Sequence, residues 1–330
     1  MIRSTVLAGV TLSLLPLCSW AASPNVVADI APLHSIVSEV MNGVGEPVLL
    51  VQPEASPHSY SLRPSEAKAL AEADVVFWIG EELTPWLANS LNNLAGSAQK
   101  IEMLELSATV KHGYREGATF EAHAHAHAKG AHDDEHHDEH DKHHHDHDKH
   151  HDGHDEHHHG DYDPHAWLDP VNAKRWANEI AQVLSATDSS NAETYKQNAE
   201  AFAESIDELT ASLNERAARL EGIRFIVFHD AYQYFERRFD IPAAGAISIS
   251  DASDPSPARI REIQALVSEL GVTCAFTEPQ YNPGLVDTVF EDSRVKTVGV
   301  MDPLGVDLEV GSGQYPQLIK KLMSSLEQCR

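Results

Sequence analysis

The sequence is poor in basic residues. Its 330 residues include 24 Lys and Arg against 51 Asp and Glu, which gives a formal charge of -27. This balance excludes a nucleic-acid partner, because phosphate binding requires a basic face. An acidic surface attracts cations, although the same charge can also serve simply to keep a protein soluble.

Common hydrolase motifs are missing as well. The sequence contains no HExxH, no GxSxG and no obvious pair of a catalytic acid and a catalytic base. We therefore expect the chain to bind a ligand rather than to catalyse a reaction, so it is not expected to be an enzyme.

Long apolar runs are confined to the N-terminus. Arg3 precedes an apolar stretch over residues 5–17, and the small residues of SWA lead to a cleavage site after Ala21. This pattern is typical of a cleaved secretory signal over residues 1–21, and it is too short for a membrane-spanning helix. No later stretch is apolar enough to cross a bilayer, so the sequence predicts an exported, soluble chain.

Cysteine is scarce. Cleavage of the signal removes Cys18 and leaves Cys274 and Cys329. Two cysteines in an oxidising compartment suggest one disulfide, which would close a loop of about 55 residues and stabilise the fold by about 4 kcal/mol. The alternative is two unrelated thiols.

Histidine, in contrast, is abundant and clustered. Residues 121–160 hold 17 of the 22 His together with 12 acids and 3 Lys, and they show no apolar periodicity. This composition predicts a disordered insertion in a loop. Ordering such a chain costs conformational entropy, so its zinc sites should be weaker than a preformed cleft. The accessory candidates are His136, His137, His143, His144, His145, His157, His158 and His159.

Outside the insertion, apolar strands alternate with helices. The strands VVADI, PVLLV and DVVFWIG precede the insertion, and RFIVF, TCAFT and VKTVGV follow it. Continuous apolar strands separated by helices indicate parallel sheets covered on both faces. The sequence thus predicts an α/β fold of two lobes, each a mainly parallel sheet flanked by helices. The lobes are assigned to residues 22–187 and 223–330.

One long helix is predicted to join the lobes, within residues 188–222. Its apolar residues fall at helical spacing on one stripe: Tyr195, Phe202, Ile206, Leu209, Leu213 and Leu220. No glycine interrupts this stretch before Gly222. The pattern therefore indicates a rigid connector rather than a flexible linker.

Several polar residues follow strand ends or proline-fixed turns, where α/β sheets bind their ligands. They are His58, His165, His229, Glu278 and Asp302. Three imidazoles with an oxygen ligand or water form a good tetrahedral set for Zn²⁺. A histidine taken alone is more often a satisfied loop or capping residue, and that interpretation fits His34 and His112.

The motifs around these residues, in chain order, are EASPHSYSLRPS, DPHAWLDP, FHDAYQYF, AFTEPQYNP and MDPLG. Together they resemble the ZnuA family, the periplasmic zinc-binding receptors of high-affinity zinc ABC importers. These receptors belong with manganese-binding relatives to the cluster A-I (family 9) metal-binding solute receptors. The resemblance covers residues from about 25 to 329. It implies a monomeric receptor in the periplasm that delivers Zn²⁺ to a membrane permease driven by a cytoplasmic ATPase.

The resemblance also implies a ligand set. His58, His165 and His229 match the zinc-ligating histidines of the family. Some members carry a carboxylate immediately before the first histidine, whereas this chain has Pro57 there. Asp302 matches the carboxylate ligand of related receptors, and water is the alternative at the fourth position.

Further roles follow from the same resemblance. Glu278 is expected to line the site or to hydrogen-bond a ligand. Cys274 and Cys329 match the pair that is bridged in zinc-binding members. The histidine-rich tract resembles the charged insertion of those members, and we expect it to collect zinc under scarcity or to sense excess. The alternative for the tract is an inert loop that merely chelates.

Three other functions stay open at this point. The first is a manganese, iron or nickel receptor of the same fold, although nitrogen-rich sites favour zinc over manganese. The second is a secreted zinc hydrolase whose open fourth position activates water. The third is a histidine-rich zinc buffer whose lobes bind an organic ligand.

Overall fold

The computed structural model describes residues 23–115, 120, 162–248, 256–281, 289–290 and 295–330. The predicted signal over residues 1–21 and the predicted insertion over residues 121–160, with its eight accessory histidines, lie outside these residues. No helix in the described ranges is long and apolar enough to cross a membrane.

The first lobe is built on a parallel sheet. Its strands are β1 (Val26–Ile30), β2 (Val48–Val51), β3 (Val75–Trp78) and β4 (Gln99–Glu102), in the order β2-β1-β3-β4. β1 and β3 are buried along their whole length, as expected for strands covered on both faces. The helices of this lobe, each with proline in its first turn, are α1 (Ala31–Val40), α2 (Pro64–Glu72) and α3 (Pro85–Leu94).

Two helices connect the lobes. α4 (Pro170–Thr187) packs along α5 (Ala192–Ala217), which has 26 residues and is therefore about 39 Å long. The predicted apolar stripe is buried: Tyr195, Phe202, Ile206, Leu209 and Leu213 on α5, and Leu220 in the 3-10 turn Ala218–Leu220 that follows. The long helix between the lobes is confirmed, while the assigned domain limits stay predictions.

The second lobe repeats the arrangement of the first. Its strands are β5 (Phe225–His229), β6 (Gly245–Ser248), β7 (Cys274–Thr277) and β8 (Lys296–Val300), in the order β6-β5-β7-β8 and all parallel. Its helices are α6 (Gln233–Phe239), α7 (Pro257–Leu270) and α8 (Gln314–Glu327). Two parallel sheets flanked by helices confirm the predicted fold class.

One apolar core runs through both lobes. It includes Ile36 of α1, Tyr195 of α5, Phe235 of α6 and Leu322 of α8. α5 packs against α1, α4 and α8. Because the lobes share a core, the helix between them is held by packing along its length.

A disulfide fastens the end of the second lobe. Cys274, the first residue of β7, is bonded to Cys329, which follows α8, with a Cα–Cα distance of 5.8 Å. The predicted bridge is confirmed, and the alternative of two unrelated thiols is excluded.

Candidate metal centre

Three histidines from three separate segments of the chain meet between the lobes. His58 lies in the loop between β2 and α2, His165 precedes the 3-10 turn Ala166–Leu168, and His229 is the last residue of β5. The ring centre of His165 lies 5.6 Å from that of His58 and 5.3 Å from that of His229. The topology thus brings together, at the carboxyl ends of the strands, the three imidazoles that the sequence nominated.

Two of these imidazoles are already spaced as metal ligands. The Nε2 atoms of His165 and His229 are 3.4 Å apart. Two nitrogens bound tetrahedrally to one zinc, each at about 2.0–2.1 Å, are separated by about 3.3–3.4 Å. Both side chains are buried, with 6% and 4% of their surfaces exposed. The distance between these two nitrogens therefore matches one edge of a zinc tetrahedron.

His58, the third histidine, is less enclosed than His165 and His229. It is partly exposed, and among the described residues no group of three or more His, Cys, Asp and Glu side chains is closed around a common metal position. Its loop is attached to α3, because the indole Nε1 of Trp86 donates to the carbonyl of Pro57 at 2.7 Å. Of the three histidines, His58 is thus the one that is not fully enclosed by the protein.

Each buried histidine is oriented by a buried carboxylate. His229 donates through Nδ1 to Glu278 at 2.6 Å, and His165 donates through Nδ1 to Asp163 at 2.7 Å. An ionised carboxylate only accepts hydrogen bonds, so Nδ1 carries the proton in both rings and Nε2 keeps its lone pair for a metal. The backbone N–H groups of the same two histidines also donate to these carboxylates.

The carboxylates are held in the protein interior. Burial raises the pKa of Asp163 to about 6, against the hydrogen bond from the His165 backbone and the positive field of Arg115, which lower it. Burial also raises the pKa of Glu278, and the contacts with His229 oppose that shift. The donors around each carboxylate thus favour its ionised form, which is the form that orients a ligand imidazole.

Sequence analysis nominated Glu278 but missed Asp163. Glu278 follows β7 by one residue, so its place beside His229 was expected from the sheet geometry. Asp163 lies two residues before His165 in DPHAW, with Pro164 between them. The available signal was the motif Asp-Pro-His, in which an acid stands two residues before a histidine. A turn at the proline of this motif folds the carboxylate back onto the imidazole ring.

Asp302 is engaged elsewhere in this structure. Its Oδ1 accepts hydrogen bonds from the backbone of Leu304 and Gly305, at 3.0 Å each, and from the amide of Gln280 at 3.2 Å. Its Oδ2 accepts from the backbone of Val306 at 2.6 Å. The carboxylate caps the turn after β8, and its role as the fourth ligand stays a prediction.

The space between the histidines is small. The cavity bounded by the three imidazoles is about 10 Å³, which is the size needed for a single water-sized species. Its walls include Trp167, Tyr281 and Leu304. A space of this size admits a bare ion.

The remaining described histidines lie elsewhere. The ring of His34 is 3.0 Å through Nε2 from the carbonyl of Pro47. His112 packs its ring against Tyr234, with ring centres 4.7 Å apart. Neither lines the cavity, although His34 lies within α1 rather than at the expected loop or cap position.

Comparison with known proteins gives a consistent pattern. The family model "Zinc-uptake complex component A periplasmic" matches residues 26–329. A high-affinity zinc uptake system protein ZnuA from Brucella abortus is 46% identical over 305 residues, covering 92% of this chain and 91% of that protein. The corresponding protein of Paracoccus denitrificans is 39% identical over 330 residues, covering 100% of this chain and 99% of that protein. A crystal structure of ZnuA superposes with a TM-score of 0.71 at 20% identity, covering 93% of this chain and 99% of the other.

Proposed function

This chain belongs to the family of periplasmic zinc-uptake complex component A, and we propose that it captures Zn²⁺ in the cleft between its lobes and hands the ion on for import. The observation that carries the proposal is the edge between His165 and His229, whose Nε2 atoms stand 3.4 Å apart. Membership of a family of transport receptors confirms that the protein is not an enzyme, and it removes the hydrolase alternative.

The ligand set proposed for the ion is His58, His165 and His229. Three neutral imidazoles form a nitrogen-rich site, which suits zinc, whereas manganese is bound by oxygen-rich sites. Nickel and cobalt also accept imidazole ligands, so they are the expected competitors in vitro. Binding closes the set when the loop carrying His58 moves its ring onto the ion held by the two buried histidines.

The fourth position has two candidate occupants, Asp302 and water. A metal bound by Asp302 would compete with the hydrogen bonds that its carboxylate accepts from three backbone N–H groups and from Gln280. Breaking a fully satisfied buried carboxylate free is costly. The geometry therefore favours water at the fourth position. If the Asp302→Asn variant keeps its zinc affinity, that result would support water over the carboxylate.

The partners and the compartment follow from the family. We propose that residues 1–21 are a cleaved signal and that the mature chain acts as a monomer in the periplasm. It would dock on a membrane permease driven by a cytoplasmic ATPase. Co-purification of the zinc-loaded chain with its permease in detergent tests this partnership, and failure to associate in both metal states would contradict it.

The histidine-rich tract is proposed as an accessory collector or sensor of zinc. Its candidate residues are His136, His137, His143, His144, His145, His157, His158 and His159. A deletion of residues 123–159 should leave one tight site and slow the loading of the cleft when zinc is scarce. Unchanged loading rates and unchanged growth under zinc starvation would reduce the tract to an inert loop.

Calorimetry on ligand variants tests the main proposal. The tract-deleted chain should bind one zinc tightly, and His165→Ala should abolish that site because it removes one end of the 3.4 Å edge. His34→Ala is the matched control, since the His34 ring contacts the carbonyl of Pro47 outside the cavity. Tight binding that survives His165→Ala would overturn the proposed site.

A further inference from the structure

A buried cluster of three charges joins the two lobes beside the metal centre. Arg115, Asp230 and Glu236, referred to here as the Arg115 cluster, have side chains that are 16%, 10% and 4% exposed. Arg115 donates through Nη1 to Glu236 at 2.7 Å, through Nη2 to Glu236 at 3.0 Å and through Nε to both oxygens of Asp230 at 2.9 and 3.1 Å. A further donation runs from Nη2 to Asp230.

The cluster lies directly behind a proposed ligand. Asp230 is the next residue after His229, which ends β5. Glu236 lies on α6, where it also accepts a hydrogen bond from the backbone of Ala243 at 3.0 Å. Arg115 comes from the first half of the chain, 115 residues before Asp230. The guanidinium thus links the end of β5 and α6 to a segment that is distant in sequence.

The segment that carries Arg115 is also tied to the other buried ligand. The backbone of Asp163 donates to the carbonyl of His112 at 2.8 Å. The amide of Gln233 donates both to the carbonyl of Gly113 at 3.0 Å and to the carboxylate of Asp163 at 3.2 Å. Asp163 in turn orients His165. Residues 112–115 therefore contact the supports of both histidines in the 3.4 Å edge.

The electrostatics make Arg115 necessary for this arrangement. One guanidinium faces two carboxylates, and the ring of Phe120 covers its face, with the ring centre 3.5 Å from Cζ. A planar bidentate donor suits two carboxylates at once, which a lysine ammonium does not match. Loss of Arg115 would leave two buried carboxylates repelling each other next to His229, and the end of β5 would have to relax.

We propose that Arg115 is a positioning residue of the zinc site, which holds His229 at its ligand spacing from His165 through Asp230 and so slows the release of the ion. This inference rests on the proposed function. According to this inference, the ion pairs of Arg115 between the lobes control how long the metal stays bound.

The test is the zinc dissociation rate of the full mature chain, loaded with less than one equivalent of zinc and mixed with excess chelator. Arg115→Gln should release zinc faster by about tenfold, the lower end of the effect caused by loss of an outer partner of a metal ligand. Arg115→Lys keeps the charge, so its zinc dissociation rate should lie between those of the unmodified chain and Arg115→Gln. Asp230→Asn breaks the same contact from the other side, so it should match Arg115→Gln and decides the question if that variant fails to fold.

Arg216→Gln provides the matched control. Arg216 of α5 forms a bidentate ion pair with Glu327 of α8. Its Nε and Nη2 atoms each donate to a carboxylate oxygen of Glu327 at 2.8 Å. This variant should leave zinc release unchanged. The absorption spectrum of bound Co²⁺ should shift in Arg115→Gln and not in Arg216→Gln, because only the former alters the ligand geometry.

The outcomes separate this inference from the proposed function. Unchanged release in Arg115→Gln and Asp230→Asn, or equal acceleration in Arg216→Gln, would overturn the role of Arg115 and leave the zinc site standing. If the unmodified chain lacks a tight zinc site, or if His165→Ala keeps it, the proposed function fails instead.

Discussion

Glu278→Gln is expected to weaken zinc binding without a matching loss of stability. Glu278 is 2% exposed, and its two oxygens accept from Nδ1 of His229 at 2.6 Å and from the backbone N–H of His229 at 3.2 Å. Glutamine offers one acceptor oxygen, and its NH₂ group would face the second donor. The imidazole then loses the carboxylate that fixes its tautomer and raises its basicity.

The magnitude follows from these contacts. Loss of an outer carboxylate weakens metal affinity by roughly 10–100-fold, which is about 1.4–2.7 kcal/mol. The same change removes a buried negative charge, whose desolvation opposes folding, so it offsets the lost hydrogen bonds in the metal-free protein. We therefore expect the free energy of unfolding of the metal-free chain to change little.

Two assays on Glu278→Gln and on a control variant test this prediction. Zinc affinity is measured by competition with a chelator, and stability by urea denaturation without metal. Asp188→Asn is the control, because Asp188 is a buried carboxylate at the turn between α4 and α5 that accepts from Tyr195 at 3.1 Å, far from the cavity. An unchanged affinity in Glu278→Gln, or an equal loss in Asp188→Asn, would refute the reasoning.

Three further predictions concern the stability of the fold and the loop that carries His58. Reduction of the bridge between Cys274 and Cys329 should lower the free energy of unfolding by about 4 kcal/mol for a loop of 55 residues, and an unchanged urea midpoint in reductant would contradict this. Burial raises the pKa of Asp29 from 3.8 to about 7. The unfolded chain therefore releases this proton at a lower pH than the folded chain does. The metal-free protein should accordingly lose stability as the pH rises from about 4 to about 7. Asp29→Asn should flatten that part of a stability profile measured by urea denaturation, and identical slopes would count against it. Trp86→Phe removes the hydrogen bond to the Pro57 carbonyl, so the free energy of unfolding of the metal-free chain should fall by about 0.5–1.5 kcal/mol; an unchanged urea midpoint would show that the fold does not depend on this bond.

The architecture was readable from the sequence because it depends on local patterns. VVADI and RFIVF are apolar throughout and lie between helices, which indicates parallel strands buried on both faces. The α5 stripe from Tyr195 to Leu213 follows helical spacing and is buried as expected. The three histidines were nominated because each follows a strand or a proline-fixed turn, and the structure places their rings close together.

The features that the sequence did not predict depend either on contacts between distant segments or on the conformation of short turns. No local pattern indicates that Arg115 meets Asp230, because the two are separated by 115 residues. Asp302 matched a ligand motif, yet the turn that follows it supplies three N–H donors to its carboxylate. Asp163 was overlooked because its role depends on how the ring of His165 turns back over Pro164.

The most direct test is to locate the metal. Crystals of the chain lacking residues 123–159, grown with one equivalent of zinc, would be measured at wavelengths on both sides of the zinc absorption edge. The account predicts one anomalous peak about 2.0–2.1 Å from Nε2 of His165, from Nε2 of His229 and from a ring nitrogen of His58. A zinc peak bound elsewhere, with the Nε2 atoms of His165 and His229 both unligated, would contradict it.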